Sequence, residues 1–166
     1  KVTILPGDDR LVDHDDPLSN FGMLSRYFGA TGAKLVPMVD DGETTAAHAN
    51  LRLGAMPWPL DLVWLGVGGD GHTASIFPGP DYREALITDE RALKVTPDPL
   101  PPEAPFPRLS MNFEALTTAP KETIIVIRGA DKKAVIEDAM RGDSDLPVAR
   151  LLRTSRCPVT IYWSPA

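Results

Sequence analysis

The stretch LDLVWLGVGGDGHTASIFPG, residues 60–79, joins an apolar run to a glycine-rich turn and one histidine. The run LDLVWLGV is apolar enough to predict a central strand that is buried on both faces. Glycines after a parallel strand let the backbone turn sharply and approach a ligand closely. Because ligands of parallel sheets bind beyond the carboxyl ends of the strands, we expect His72 to face a binding crevice.

The chemistry of this turn depends on His72, since an imidazole can take up and return a proton near neutral pH. The sequence GVGGDGH lacks the GK[ST] ending of a P-loop and the G-x-G-x-x-G spacing of a dinucleotide fingerprint. Two interpretations stay open on the pattern alone. The turn is either purely structural, or it carries a general base.

The rest of the chain alternates short β-rich runs with helix-favouring segments. The predicted strands cover residues 2–5, 33–38, 60–67, 92–96, 108–113, 122–129 and 159–163. The predicted helices cover residues 19–28, 42–56 and 131–140, with a short helical turn before Pro78. The proline-rich residues 97–107 predict a stiff connecting loop. This alternation predicts an α/β fold with a mostly parallel sheet, in a single domain over residues 1–166.

Composition and charge exclude several classes of function. The net charge of −6 argues against nucleic acid as a partner, because nucleic-acid-binding domains carry a basic surface. No apolar run reaches the roughly 18–20 residues of a membrane span, so no membrane partner is expected. The single cysteine, Cys157, allows no intrachain disulfide, which fits a cytoplasmic protein. The three histidines are scattered without H-x-x-x-H spacing, so no metal site is predicted.

Four segments, in order along the chain, resemble the 6-phosphogluconolactonases of the glucosamine-6-phosphate isomerase/6-phosphogluconolactonase superfamily. GVGGDGHTASIFP is similar to the family pattern G-x-G-x-D-G-H-T-x-S-[LI]-F-P. The other segments are DDRLVDHDDPLSN, RLSMNFEALTTAPKETIIVIRGADKKAVIEDAM, and LPVARLL together with VTIYWSPA. The resemblance implies a Rossmann-like three-layer sandwich.

The sequence departs from the family pattern in two places. Asp9 stands where the family commonly has glutamate. The family's first strand and its Gly-Gly-Ser/Thr phosphate loop normally precede this region and have no counterpart here. We therefore expect roughly 60–70 further N-terminal residues, about the size that a strand, helix and turn require.

The resemblance implies hydrolysis of 6-phosphoglucono-δ-lactone to 6-phosphogluconate in the oxidative pentose phosphate pathway, with no metal and no cofactor. His72 would be the general base for the attacking water and then the acid for the leaving ring oxygen. The developing oxyanion needs hydrogen-bond donors. Arg10 and the loop amides near Gly68, Gly69 and Gly71 are the candidates.

Two carboxylates belong to the implied catalytic group. Asp70 either orients the loop or His72, or caps the turn that follows. Asp8 would hold Arg10 or a substrate hydroxyl.

The implied partner is a small phosphosugar lactone, and its phosphate needs cations. Lys132 starts a predicted helix, where backbone dipoles also favour anions. Arg108, which precedes a strand, is a second candidate. Ser19 and Asn20 either cap the first helix or lie near the site. The sequence leaves the oligomeric state open between a monomer and a homodimer.

Two other functions remain open. A glucosamine-6-phosphate deaminase-type isomerase shares the fold and a similar loop, but its loop usually continues I-A-F-N-E-P. Residues 73–78 read TASIFP, which favours the lactonase. A non-catalytic sugar-phosphate-binding regulator is the third possibility, and the presence of His72 argues against it.

Overall fold

The computed structural model describes residues 1–40, 44–118 and 121–165 as a mixed α/β chain. Its strands are β1 (Thr3–Ile4), β2 (Asp8–Arg10), β3 (Lys34–Leu35), β4 (Val63–Leu65), β5 (Ala92–Val95), β6 (Arg108–Met111), β7 (Thr123–Arg128) and β8 (Val159–Ser164). Its α-helices are α1 (Asn20–Phe28), α2 (Ala46–Gly54), α3 (Pro80–Ile87), α4 (Ala130–Arg141) and α5 (Pro147–Thr154), with a π-helical turn at Glu114–Thr118. Residues 42 and 43 of the predicted second helix lie outside the described residues.

The strand before the glycine turn belongs to a parallel sheet of order β4-β7-β8. Successive strand residues point to opposite faces, and Leu65 and Ile125 lie in the core at 4% and 0% exposure. The other face carries Trp64, Val126 and Tyr162, exposed at 70%, 40% and 57%. The prediction that residues 60–67 are buried on both faces is therefore wrong, because β4 is an edge strand with one uncovered face.

A second, antiparallel sheet of order β2-β6-β5 corrects the expectation of one mostly parallel sheet. β2 pairs with β6 so that Arg10 lies opposite Arg108. β1 and β3 form a separate parallel pair. The sequence predicts β5 and β6 as strands but not β2, and the pairing of β2 with β6 could not be predicted because it joins segments that are far apart in the chain.

Two of the described α-helices, α1 and α2, begin at a side-chain N-cap. Ser19 caps α1 as predicted, and its hydroxyl accepts a hydrogen bond from the Gly22 amide at 2.9 Å. The helical turn predicted after the glycine loop is wrong, since Thr73 and Ile76 form an isolated bridge there and α3 begins only at Pro80. α5 was not predicted as a helix, although four of its eight residues are buried.

In the part of the chain that the structure describes, every helix is too short or too polar to cross a membrane.

Candidate active site

The glycine turn after β4 is closed by its own backbone. The Gly68 amide donates to the carbonyl of His72, and the Gly71 amide donates to the carbonyl of Gly68, both at 3.0 Å. Gly71 has a φ of +78°, and a side chain there would also collide with Leu146 at the start of α5. The turn therefore has one well-defined shape. Two of the three glycine amides expected to face an oxyanion are engaged within the turn.

His72 lies directly on this turn. Its Nδ1 is 2.6 Å from Oδ1 of Asp70, and Asp70 also accepts the backbone amide of His72. An ionised carboxylate can only accept hydrogen bonds, so this contact places the ring proton on Nδ1 and leaves the lone pair on Nε2. The His72 side chain is 30% exposed, so the imidazole is open to solvent on part of its surface. Of the roles considered for Asp70, the geometry favours the orientation of His72.

The Phe77 ring contacts both His72 and the buried side chain of Arg108. The rings of His72 and Phe77 are stacked with centroids 4.1 Å apart and planes 25° apart. The guanidinium carbon of Arg108 lies 4.9 Å from the centre of the same phenylalanine ring. Arg108 is only 4% exposed. The predicted base and one predicted phosphate ligand are thus brought together.

Arg10 and Arg108 form a pair of cations across the antiparallel sheet. Both Nε atoms are buried and have no hydrogen-bond partner among residues 1–40, 44–118 and 121–165. Burial and then the neighbouring Arg10 lower the pKa of Arg108, while Asp8 and Glu103 oppose that change. Buried donors without partners are costly, and two neighbouring cations favour negative charge beside them.

Residues of α1 hold Arg10 in this position. Its Nη1 donates to the side-chain oxygen of Asn20 at 2.6 Å and to the carbonyl of Leu18 at 3.1 Å. Asn20 also donates to the backbone carbonyl of Asp8. Asn20 thus orients the cation, whereas Ser19 is buried and its hydroxyl is used in capping α1.

Asp9 anchors this helix to β2. Its fully buried carboxylate accepts the backbone amides of Arg10, Asn20 and Phe21 at 2.7–2.9 Å. Burial raises the pKa of Asp9, while these three backbone donors oppose the rise. Asp9 therefore attaches the start of α1 to β2 next to the site.

Asp8 lies in β2 with Arg10, whereas Lys132 lies in a different element, α4. Asp8 accepts the hydroxyl of Ser75 at 2.5 Å, and the Ser75 amide donates to the hydroxyl of Ser110. Asp8 therefore ties the segment after His72 to the antiparallel sheet. Lys132 lies in the first turn of α4, next to Asp131, whose carboxylate faces the Gly69 backbone.

Sequence reasoning missed three members of the cluster: Phe77, Ser75 and Ser110. The first two stand in the quoted stretch and could have been selected by their proximity to His72. Ser110 is part of the segment RLS in the family resemblance, but its contact with Ser75 could not be predicted because it depends on how the chain folds. Within the described ranges, no group of three His, Cys, Asp or Glu side chains could hold a metal ion.

These features define an α/β protein whose site offers an oriented imidazole beside buried cations, an arrangement suited to acid–base chemistry on an anionic small molecule. A family model described as glucosamine-6-phosphate isomerases/6-phosphogluconolactonase matches residues 1–163. The chain belongs to this family, which confirms the resemblance carried by the four segments.

Similar proteins agree over nearly the whole chain. It is 38% identical to the 6-phosphogluconolactonase of Caulobacter vibrioides over 99% of this chain and 72% of that relative. It is 33% identical to that of Rhizobium meliloti, over 99% and 74%. The crystal structure of a 6-phosphogluconolactonase from Shewanella baltica has a TM-score of 0.86 at 27% identity, over 99% of this chain and 72% of that one.

The contact of His72 with the loop backbone can be tested at Gly68. A β-carbon there would overlap ring atoms of His72 and the Asp70 carboxylate, so Gly68→Ala should move the ring by roughly 1 Å to restore ordinary contacts. Imidazole ¹⁵N NMR should then show loss of the Nδ1 hydrogen bond. Gly69→Ala is the matched control, since its β-carbon would meet only Asp131 at 3.7 Å. An unchanged His72 spectrum in Gly68→Ala would contradict this geometry.

Proposed function

We propose that this chain hydrolyses 6-phospho-D-glucono-1,5-lactone to 6-phospho-D-gluconate, a step of the oxidative pentose phosphate pathway. The observation that carries the proposal is the partly exposed imidazole of His72, held by Asp70 and stacked on Phe77, whose ring also contacts the buried Arg108. The names of the relatives, all 6-phosphogluconolactonases, support the same reaction.

In this proposal His72 Nε2 removes a proton from the water that attacks the lactone carbonyl carbon. The tetrahedral intermediate collapses with cleavage of the bond to the ring oxygen, and the imidazolium returns its proton to that oxygen. Asp70, bound to Nδ1, stabilises the imidazolium between the two transfers. The products are a carboxylic acid, which ionises, and a new hydroxyl group.

The two negative charges of the reaction need different partners. We assign the oxyanion to Arg10 and the amides of Gly69 and Asp70, because the amides of Gly68 and Gly71 are used within the turn. We assign the phosphate to Arg108 and Lys132. Arg108 is rigidly placed, and Lys132 stands in the first turn of a helix, where amide dipoles favour an anion.

The remaining residues act through their neighbours. Asn20 orients Arg10, and Ser19 fixes the helix that carries Asn20. Asp8 is bonded to Ser75, so its part is to hold the segment after His72 and to keep a charge near Arg108.

The family description also names glucosamine-6-phosphate isomerases, so a second reaction requires a direct comparison. Lactone opening releases acid, which a pH-stat measures, and deamination of glucosamine 6-phosphate releases ammonia. We expect acid release above the spontaneous rate and no ammonia. Ammonia release without accelerated lactone opening would replace the lactonase proposal with the isomerase.

We further propose that an N-terminal segment completes residues 1–166 as a Rossmann-like three-layer sandwich with a mostly parallel sheet. The exposed face of Trp64, Val126 and Tyr162 supports this, since apolar faces of that kind are normally covered. The Caulobacter relative is also longer, because this chain spans 72% of it.

The 166-residue chain expressed alone should therefore bind the apolar dye ANS, and Trp64→Ser with Tyr162→Ser should reduce that binding. A soluble, cooperatively melting chain with full lactonase activity and no ANS binding would show that the segment is dispensable.

His72→Asn should fold normally and lower lactone hydrolysis by at least about 10²-fold, the low end of the effect of a general base. The assay is a pH-stat measurement with the uncatalysed rate subtracted. His48→Asn is the control, because His48 lies on the exposed side of α2. Near-normal turnover by folded His72→Asn would remove His72 from the role of base.

Steady-state kinetics can distinguish phosphate binding by Lys132 from oxyanion stabilisation by Arg10. Lys132→Ala should mainly raise KM, because a phosphate contact made equally in the ground and transition states is uniform binding. Arg10→Ala should also lower kcat, because it meets charge that develops only in the transition state. If both variants change KM alone, Arg10 is a phosphate ligand and the oxyanion assignment is wrong.

A further inference from the structure

The Asp70–His72 hydrogen bond does not by itself fix the imidazole. The imidazole turns about its Cα–Cβ and Cβ–Cγ bonds, both of which move Nε2, and the bond at Nδ1 opposes only part of this rotation. A catalytic nitrogen must be held within a fraction of an ångström of its productive position. A second contact, on the face of the ring, is needed to stop the rotation.

Phe77 supplies that contact. Its ring is stacked on the imidazole at 4.1 Å between centroids, so any large rotation of His72 would drive one ring into the other. Phe77 itself is firmly supported. It follows Ile76, which is fully buried, and the preceding Thr73 and Ser75 bond to Gly66 and to Asp8.

The Phe77 ring also contacts the guanidinium of Arg108. The guanidinium carbon lies 4.9 Å from the ring centre, and Nη2 donates to the carbonyl of Ala104 at 3.1 Å. Cations are attracted to aromatic faces, most strongly when they are removed from water, as Arg108 is. One rigid ring thus touches both the imidazole and the buried guanidinium.

We propose that Phe77 is a positioning residue that fixes the plane of His72 and the distance between His72 and the guanidinium of Arg108. It does not touch the reacting atoms. Its ring acts as a spacer that sets how far the reacting carbonyl lies from the anionic group of the substrate. This inference rests on the proposed function for its kinetic test, but the geometry of His72 is measurable without substrate.

The test compares Phe77→Tyr, which keeps the ring, with Phe77→Leu and Phe77→Met, which keep an apolar side chain without it. Phe28→Leu is the control, a partly exposed phenylalanine on α1 that has no contact with the site. Because a displacement of about 1 Å at a catalytic group can cost ~10²-fold, we expect Phe77→Leu to lower kcat by about 10–10²-fold and also to raise KM. Phe77→Tyr should stay within about threefold of the parent.

Imidazole ¹⁵N NMR of the free protein separates this inference from the lactonase proposal. Phe77→Leu and Phe77→Met should change the ring signals of His72, whereas Phe77→Tyr and Phe28→Leu should not. If the parent protein opens no lactone, the lactonase proposal fails and the NMR result still decides the role of Phe77. Parent-like His72 signals together with parent-like kcat and KM in folded Phe77→Leu, or in Phe77→Met if the leucine variant does not fold, would overturn the inference.

Discussion

The imidazole of His72 lies against the backbone of Gly68 so closely that no side-chain carbon fits between them. This contact explains the glycine at position 68. It requires the tight turn closed by the Gly68 and Gly71 amides, and it brings the ring within reach of Asp70. The position of the His72 ring determines where Nε2 lies relative to a bound ligand.

The positions of Arg10 and Arg108 depend on a different interaction, which the buried carboxylate of Asp9 makes with α1. The hydrogen bonds that it accepts from the amides of Asn20 and Phe21 fasten β2 to the first turn of α1, and that helix supplies Asn20 to Arg10. β2 then pairs with β6 and sets Arg10 opposite Arg108. Leaving two buried guanidinium Nε atoms without partners costs stability, and a bound anion would offset that cost.

The local parts of this structure could be predicted from the sequence, and the long-range parts could not. The glycine turn, the placement of His72 at its end and the Ser19 cap each depend on neighbouring residues. The antiparallel pairing of β2 with β6 depends on segments that meet only in the fold, so the contacts of Ser75 with Asp8 and Ser110 could not be predicted. Trp64 was expected inside because its strand is apolar, and it lies at 70% exposure because β4 has one uncovered face. The roles of Lys132 and Arg108 as phosphate ligands are implied only by the family resemblance, since a single lysine or arginine does not by itself indicate a phosphate site.

A crystal structure of the protein with 6-phosphogluconate bound would test the central claim most directly. We expect the product carboxylate to lie within hydrogen-bond reach of His72 Nε2, on the Gly69–Asp70 side of the turn. We also expect the phosphate to contact Arg108 and Lys132. A product bound with its phosphate on the glycine turn, or with its carboxylate away from His72, would contradict the account.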